Sequence, residues 1–280
     1  MIIQLKNIKY KYPLAKNYAL NDINFTFESG KFYGIIGENG GGKTTLCNLI
    51  RGLVPHFYGG KLEGEAIVFG KNVQEHTLDD FSTQIGFVFQ NPFNQISGVK
   101  PTVFEEVAMG LENLGVPREE IITKVTDVCK LLEIEHLIEK DPNELSGGQR
   151  QRVAFAAIIV MDNELLVIDE PTSQLDPKGT EDVFKIVKKL KDSGKTIILV
   201  EHQIDLIAEY CDEVIVMKEG EIVTSGKTQD ILSDLALLDL GANIPPVAVW
   251  GHKMETAGKK LKYIPITVSQ AVEVASERRK

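Results

Sequence analysis

Four short runs of this chain are apolar without a break: FYGII at 32–36, LLVI at 165–168, TIILV at 196–200 and VIVM at 214–217. Runs this short, bounded by glycine or charged residues, read as strands buried on both faces, as in a parallel sheet. Between them the apolar spacing changes to that of a helix. KTTLCNLIRGL carries apolar residues at 46, 49, 50 and 53, and VFEEVAMGLENLG, EEIITKVTDVCKLLEI and RVAFAAIIV follow the same period. Residues 1–36 predict an antiparallel strand pair leading into the first parallel strand. GKLEGEAIVFGKNV predicts a second strand pair, and EVIVMKEGEIVTSG a hairpin. Strands alternating with helices predict an α/β fold. No internal repeat is present. The longest apolar stretch, VAFAAIIVM at 153–161, is about half a membrane span.

The junction after the first buried run carries chemistry. GENGGGKTT, Gly37 to Thr45, fits G-x-x-x-x-G-K-[ST] with Gly37, Gly42, Lys43 and Thr44 at the required positions. It lies between a strand and a helix, the context in which such a loop cradles phosphates. Backbone N–H groups of the loop and the helix N-terminus wrap the anion. Lys43 neutralises β- and γ-phosphates, and the Thr44 hydroxyl ligates Mg²⁺. Asn39, Gly40 and Thr45 complete the expected cradle.

The second buried run ends ELLVIDEP, with Asp169 and Glu170 at its carboxyl end, where ligands bind in open α/β sheets. Asp169 suits a Mg²⁺ held through water. Glu170 suits the polarisation of a water for in-line attack on a γ-phosphate. Together the two motifs predict binding of a nucleoside triphosphate, and its hydrolysis.

Upstream of the acids stands LSGGQRQRV, 145–153, in which Ser146, Gly147, Gly148 and Gln149 open an apolar helix and so present a second anion-binding helix end. Here the sequence resembles the ABC-type ATPases, whose signature is LSGGQ. The resemblance covers roughly residues 1–235. It implies an α/β P-loop NTPase of the ABC nucleotide-binding type: a RecA-like core with an antiparallel β subdomain and an α-helical subdomain at about 92–160. It also implies ATP and Mg²⁺ as ligands, and a head-to-tail pairing in which one subunit's signature closes on the other's γ-phosphate. On the same ground Tyr12 matches the aromatic that stacks on adenine, with Tyr10 a weaker match. Gln90 matches the Q-loop glutamine near Mg²⁺ and the attacking water. Asp176 matches the D-loop aspartate, and His202 the switch histidine. Two departures are SQLD with Gln174 where SALD is commoner, and GGGKTT where SGKST is commoner. Lys43 and Thr44 stay in place.

The stretch NPFNQISGVKPTVFEEVAMGLENLGVP, with Glu105 and Glu106, resembles the segment after the Q-loop in energy-coupling-factor (ECF) transporter ATPases, which import vitamins and transition-metal ions. LVPHFYGGKLEGE and VEHQID suit the same subgroup. Partners implied are a second ATPase subunit, identical or sister, a transmembrane coupling protein and a substrate-binding membrane protein, with the chain on the cytoplasmic face of the membrane. Phe93 and Ile96 would seat a partner's helix as apolar anchors. Residues 236–280 resemble the short C-terminal extension of these ATPases, a subunit contact with Trp250 and Leu261 as its anchors; the basic end, Arg278 to Lys280, reads as a frayed terminus. The alternatives are the ATPase of a binding-protein-dependent ABC importer and a soluble non-transport ABC ATPase.

Composition changes little in this picture. A net charge of −9 argues against a nucleic-acid partner. Cys47, Cys129 and Cys211 are odd in number and far apart, so neither a disulfide framework nor a thiolate metal site is expected. The histidines show no ligand spacing, and MIIQLKNIKY lacks the apolar run of a signal peptide.

Overall fold

β1 (Ile3–Lys11) buries Ile3, Leu5, Ile8 and Tyr10 on one face. The step from 5 to 8 breaks strict alternation, and Asn7, at φ +50°, absorbs the extra residue as a register shift. The computed structural model describes residues 1–89, 95–173 and 175–276. Along the chain β1 is followed by β2 (Leu20–Phe27), β3 (Phe32–Gly37), α1 (Lys43–Ile50), α2 (Leu53–His56), β4 (Lys61–Val68) and β5 (Lys71–Asn72). Next come α3 (Asp79–Ser82), β6 (Ile85–Val88), α4 (Val103–Asn113), α5 (Arg118–Leu131), α6 (Gly147–Ile159), β7 (Leu165–Asp169), α7 (Pro177–Asp192) and β8 (Thr196–Val200). The chain continues through α8 (Ile204–Tyr210), β9 (Glu213–Lys218), β10 (Glu221–Lys227), α9 (Thr228–Leu232), α10 (Ala236–Asp239), α11 (Pro246–Thr256) and α12 (Val268–Ser276). It divides into two compact units, Met1–Leu78 with Ile198–Lys280, and Asp79–Ile197.

In the first unit, β1 pairs antiparallel with β2, Ile3 opposite Phe27, and with β4, Ile3 opposite Val68. β5 continues this antiparallel sheet beside β4. β3 is buried from Phe32 to Ile36 and pairs in parallel with β9, Gly37 opposite Met217. β9 turns into β10 through Glu219 and Gly220, both at positive φ, as a two-residue hairpin matched to strand twist requires. The tail is tied to this unit by polar bonds: Gln229 Nε2 donates to Ile264 O at 2.8 Å, and Gln270 Nε2 to Gln229 Oε1 at 2.9 Å. Leu261, at 6% exposure, packs inside its own chain and is no exposed anchor. Trp250 is half-buried, and among the described residues the exposed large apolar side chains of the tail are Leu238, Val268 and Val272.

In the second unit, β6 and β7 run parallel, Ile85 opposite Leu165, and β7 is buried at all five positions. The helix-rich stretch expected from the 3.6 period appears as α4, α5 and α6. α7 buries Val183, Phe184, Ile186, Val187 and Leu190 along one face, and its charged residues take the other. Gln90, Phe93, Gln174 and Arg278 to Lys280 lie outside the described residues; Ile96 is half-buried.

Candidate functional site

The glycine loop leaves β3 and enters α1 through left-handed turns. Gly37, at φ +139°, sits so close to β9 that a Cβ there would lie 2.0 Å from Met217 O. Gly42, at φ +99°, is the N-cap of α1 and, as a glycine, brings no capping side chain. Neither position accepts an L side chain without moving backbone. Lys43 is 5% exposed, and its Nζ donates to Gly37 O at 2.9 Å and Glu38 O at 3.0 Å. The lysine thus holds the curvature of its own loop, with its charge inside the concavity. Asn39, Gly40 and Thr44 are exposed, whereas Thr45 is buried.

Tyr12 is brought to this loop: its hydroxyl shares a hydrogen bond with Thr45 Oγ1 at 3.2 Å. Its ring stands edge-on to Tyr10 and Tyr58, at centroid distances of 4.8 and 6.0 Å. Tyr10 is fully buried and donates to Gly59 O at 2.7 Å, with its phenol pKa pushed up to about 12 by burial and then by Tyr12 and Tyr58. Of the two tyrosines only Tyr12 keeps a face that a base could reach.

His202 is exposed at the start of the turn after β8. The residue that fixes this turn is Glu201, buried at 4% exposure, whose Oε1 accepts from His202 N at 2.8 Å and Gln203 N at 3.1 Å. Sequence reading passes over it because a carboxylate before a histidine shows no spacing rule; its role follows from burial. A cleft of about 180 Å³ lies between Glu38, Asn39, Glu201 and His202, and the tail closes its wall with Gly241 and Asn243. A Cβ on Gly241 would lie 2.2 Å from Glu38 Oε1. The extension, expected only as a subunit contact, therefore also reaches the phosphate loop.

In the second unit β7 delivers Asp169, buried, and Glu170, half-buried at φ +48°. Ser173 N donates back to Glu170 O at 3.3 Å and closes the turn. α6 begins at Gly147 with Ser146 as its N-cap. Ser146 Oγ accepts from Gln149 N at 3.4 Å, and Gln149 Oε1 accepts from Ser146 N at 3.1 Å, a capping box. A Cβ on Gly147 or Gly148 would meet nothing within 4 Å. Asp176 is the N-cap of α7, accepting from Gly179 N at 2.7 Å ahead of Pro177. Ser146, Gln149, Gln151 and Asp176 line one open cavity of about 390 Å³.

The segment after β6 is held by two polar anchors. Gln95 accepts from Phe89 N at 3.2 Å and donates to Phe87 O at 2.9 Å, as a neighbouring strand would. Glu106, buried at 2% exposure, accepts from Ser97 N at 2.6 Å and Ser97 Oγ at 2.7 Å. The Gln and Ser of NQISG are therefore structural pins.

The family model described as ABC transporter matches residues 20–173, just over half of the chain. The chain belongs to the ABC transporter family. It has the α/β ABC cassette fold, binds ATP and is an ATPase. An energy-coupling factor transporter ATP-binding protein of Mycoplasma mobile is 38% identical over 240 residues, covering 85% of this chain and 85% of its own. The solved structure of cbiO1 from Clostridium perfringens, part of the ABC transporter complex cbiONQ, matches with a TM-score of 0.76 at 32% identity. It covers 91% of this chain and 98% of its own. A dimeric ATP-binding cassette in a post-hydrolysis state, bound to ADP and Pi, matches with a TM-score of 0.69 at 30% identity, over 81% of this chain and 99% of its own.

The residues also fit Mg²⁺ carried in on a nucleotide. Among the described residues no three His, Cys, Asp or Glu side chains gather as a protein-only metal site. Mg²⁺ bound with nucleotides keeps water and phosphate ligands and asks only one or two groups of the protein.

Proposed function

We propose that this ABC ATPase is the ATP-hydrolysing subunit of an energy-coupling-factor type importer of a vitamin or a transition-metal ion. It works as a pair with a second copy or a sister ATPase, beneath a transmembrane coupling protein and a substrate-binding membrane protein, on the cytoplasmic face of the membrane. Its likeness to a transporter ATP-binding protein of that type over 85% of the chain supports the reading. So does the likeness to cbiO1, itself part of a transporter complex. No described helix is long and apolar enough to cross a membrane, so in this reading partners supply the passage.

The observation that carries the paired arrangement is the open start of α6. Glycines at 147 and 148 cost a helix up to about 1 kcal/mol each against alanine. No described residue lies close enough to require them. Their missing side chains leave room for a group from outside, and a phosphate held by a second ATPase is such a group. The dimeric form of a related cassette agrees with this.

Roles follow residue by residue. Lys43 and the N–H groups of Gly37, Asn39, Gly40, Gly42, Thr44 and Thr45 hold the phosphates, and Tyr12 stacks on adenine. Thr44, Asp169 and Gln90 serve Mg²⁺, which when bound neutralises charge on the β- and γ-phosphate oxygens. Glu170 polarises the attacking water, His202 donates to the γ-phosphate, and Ser146, Gly147, Gly148, Gln149 and Asp176 act across the pair. Purification of the chain from detergent-solubilised membranes, with mass spectrometry of what accompanies it, tests the assignment. The expected companions are a small transmembrane protein and an ATPase subunit. Soluble proteins alone would remove the transport role and leave the ATPase intact.

A further inference from the structure

The turn after Glu170 carries two costs that strand and helix formation do not explain. Glu170 holds φ at +48°, which a residue with a Cβ adopts unwillingly. Opposite it on α6, Gln151 is 1% exposed. Its Nε2 donates to Pro171 O at 3.0 Å, while its Oε1 has no hydrogen-bonding partner among the described residues. A buried carboxamide with one end unmatched is less favourable than an apolar side chain of the same volume. Methionine or leucine would fill the space without that cost. What glutamine alone supplies is the N–H, and it is spent on the peptide immediately after Glu170.

The two ends of this bond belong to different tasks. Gln151 stands in the second turn of α6, one turn beyond the glycines that open it. Pro171 O stands one residue beyond Glu170. In the paired reading the start of α6 engages the nucleotide of the second ATPase, whereas Glu170 serves the other nucleotide. Resting on that reading, we infer that Gln151 is a positioning residue: its bond to Pro171 O transmits phosphate engagement at α6 to the setting of Glu170, and so links the two hydrolytic sites through a single chain. A hydrogen bond at 3.0 Å weakens steeply with stretch or tilt. A shift of α6 by a fraction of an ångström is therefore felt at the turn that aims the carboxylate. The left-handed φ gives that turn a strained setting which the bond helps to hold.

The test uses the purified ATPase pair, full-length, with kcat, KM for ATP, the Hill coefficient and Tm measured together. Gln151→Met removes the donor at similar volume. It is expected to keep Tm or raise it, to leave KM within about twofold, to lower kcat at least fivefold and to bring the Hill coefficient to one. Gln151→His, which can still donate, is expected to retain at least half of kcat, and Gln151→Leu, which cannot, to behave as Gln151→Met. In a Glu170→Gln background Gln151→Met should cause no further loss of turnover, because both act through one group, and the ATP-bound pair should persist. A kcat within twofold of wild type for Gln151→Met overturns the inference. So does loss of kcat only in proportion to Tm. Should Gln151→Met fail to fold, the comparison of Gln151→Leu with Gln151→His decides, and equal rates for the two refute the link. A wild-type Hill coefficient of one, with no ATP-bound pair from Glu170→Gln, is a different result: it removes the paired reading itself and the link with it.

Discussion

At the start of α1 the cap is Gly42, which brings no capping side chain; at the start of α6 Ser146 and Gln149 close a box on each other. On the proposed function both helix ends offer N–H groups to a phosphate. The first has no side-chain cap, and its curvature is held by Lys43 bonded to the carbonyls of Gly37 and Glu38. The second is already partly satisfied and must exchange its own box for a ligand. Magnitudes decide how that exchange runs. A serine cap is worth about 1 kcal/mol, and the Oγ contact here is long at 3.4 Å. A charge-assisted bond to phosphate is worth about 1.5–3 kcal/mol. In the proposed pairing a delivered phosphate displaces the box, and without one the box keeps the N–H groups of Ser146 and Gln149 occupied. On the proposed function, one end grips nucleotide unaided and the other responds only to a nucleotide already held.

The largest expected effect is on the first end. Lys43→Ala should weaken ATP binding at least 100-fold in a fluorescent-nucleotide titration; unchanged affinity would show that the loop's grip does not depend on its lysine. Next in size, Glu170→Gln should leave ATP binding within about threefold and reduce kcat at least 100-fold. Brisk turnover by this variant would remove Glu170 as the base. The second end separates stability from function. Gly148→Ala should raise stability by up to about 1 kcal/mol, because the helix gains a better former and the methyl meets nothing. It should nevertheless slow hydrolysis at least tenfold while sparing ATP affinity. A rise in Tm with full activity would mean that the space over Gly148 is not used.

The smallest effect concerns a region remote from either task. Burial pushes the Cys129 thiol on α5 up to about 11, with Glu135 adding to the shift. A raised thiol pKa favours the folded state fully below the unfolded value, near 8.5–9, and that contribution is lost as pH rises toward 11. Thermal melts at pH 8 and pH 10.5 should show a drop that is smaller in Cys129→Ala, whether or not ATP is present. An equal drop in the two proteins would assign the alkaline loss to other groups.

Much of this contrast was legible in the sequence. A glycine loop between a strand and a helix, a buried run ending in Asp169 and Glu170, and Ser146 with Gln149 three residues on are all local patterns, and local patterns survive without tertiary knowledge. What stayed hidden depends on partners distant along the chain. Glu201 became visible only through its burial beneath the His202 turn, and Gln151 through a bond spanning twenty residues to Pro171. Gly241 reads as a loop glycine until its contact with Glu38 is seen. Leu261 shows the reverse failure: an apolar residue in a tail suits a subunit contact as well as a fold contact, and here its own chain covers it.

The most direct measurement sets ATP binding beside ATP hydrolysis in Ser146→Arg. Ser146 is exposed, and arginine there removes the box and obstructs the open start of α6. Wild-type affinity for ATP with hydrolysis slowed at least 50-fold is the predicted result, since the grip at α1 is independent and the response at α6 is not. Loss of binding together with hydrolysis would contradict the account, as would hydrolysis at the wild-type rate.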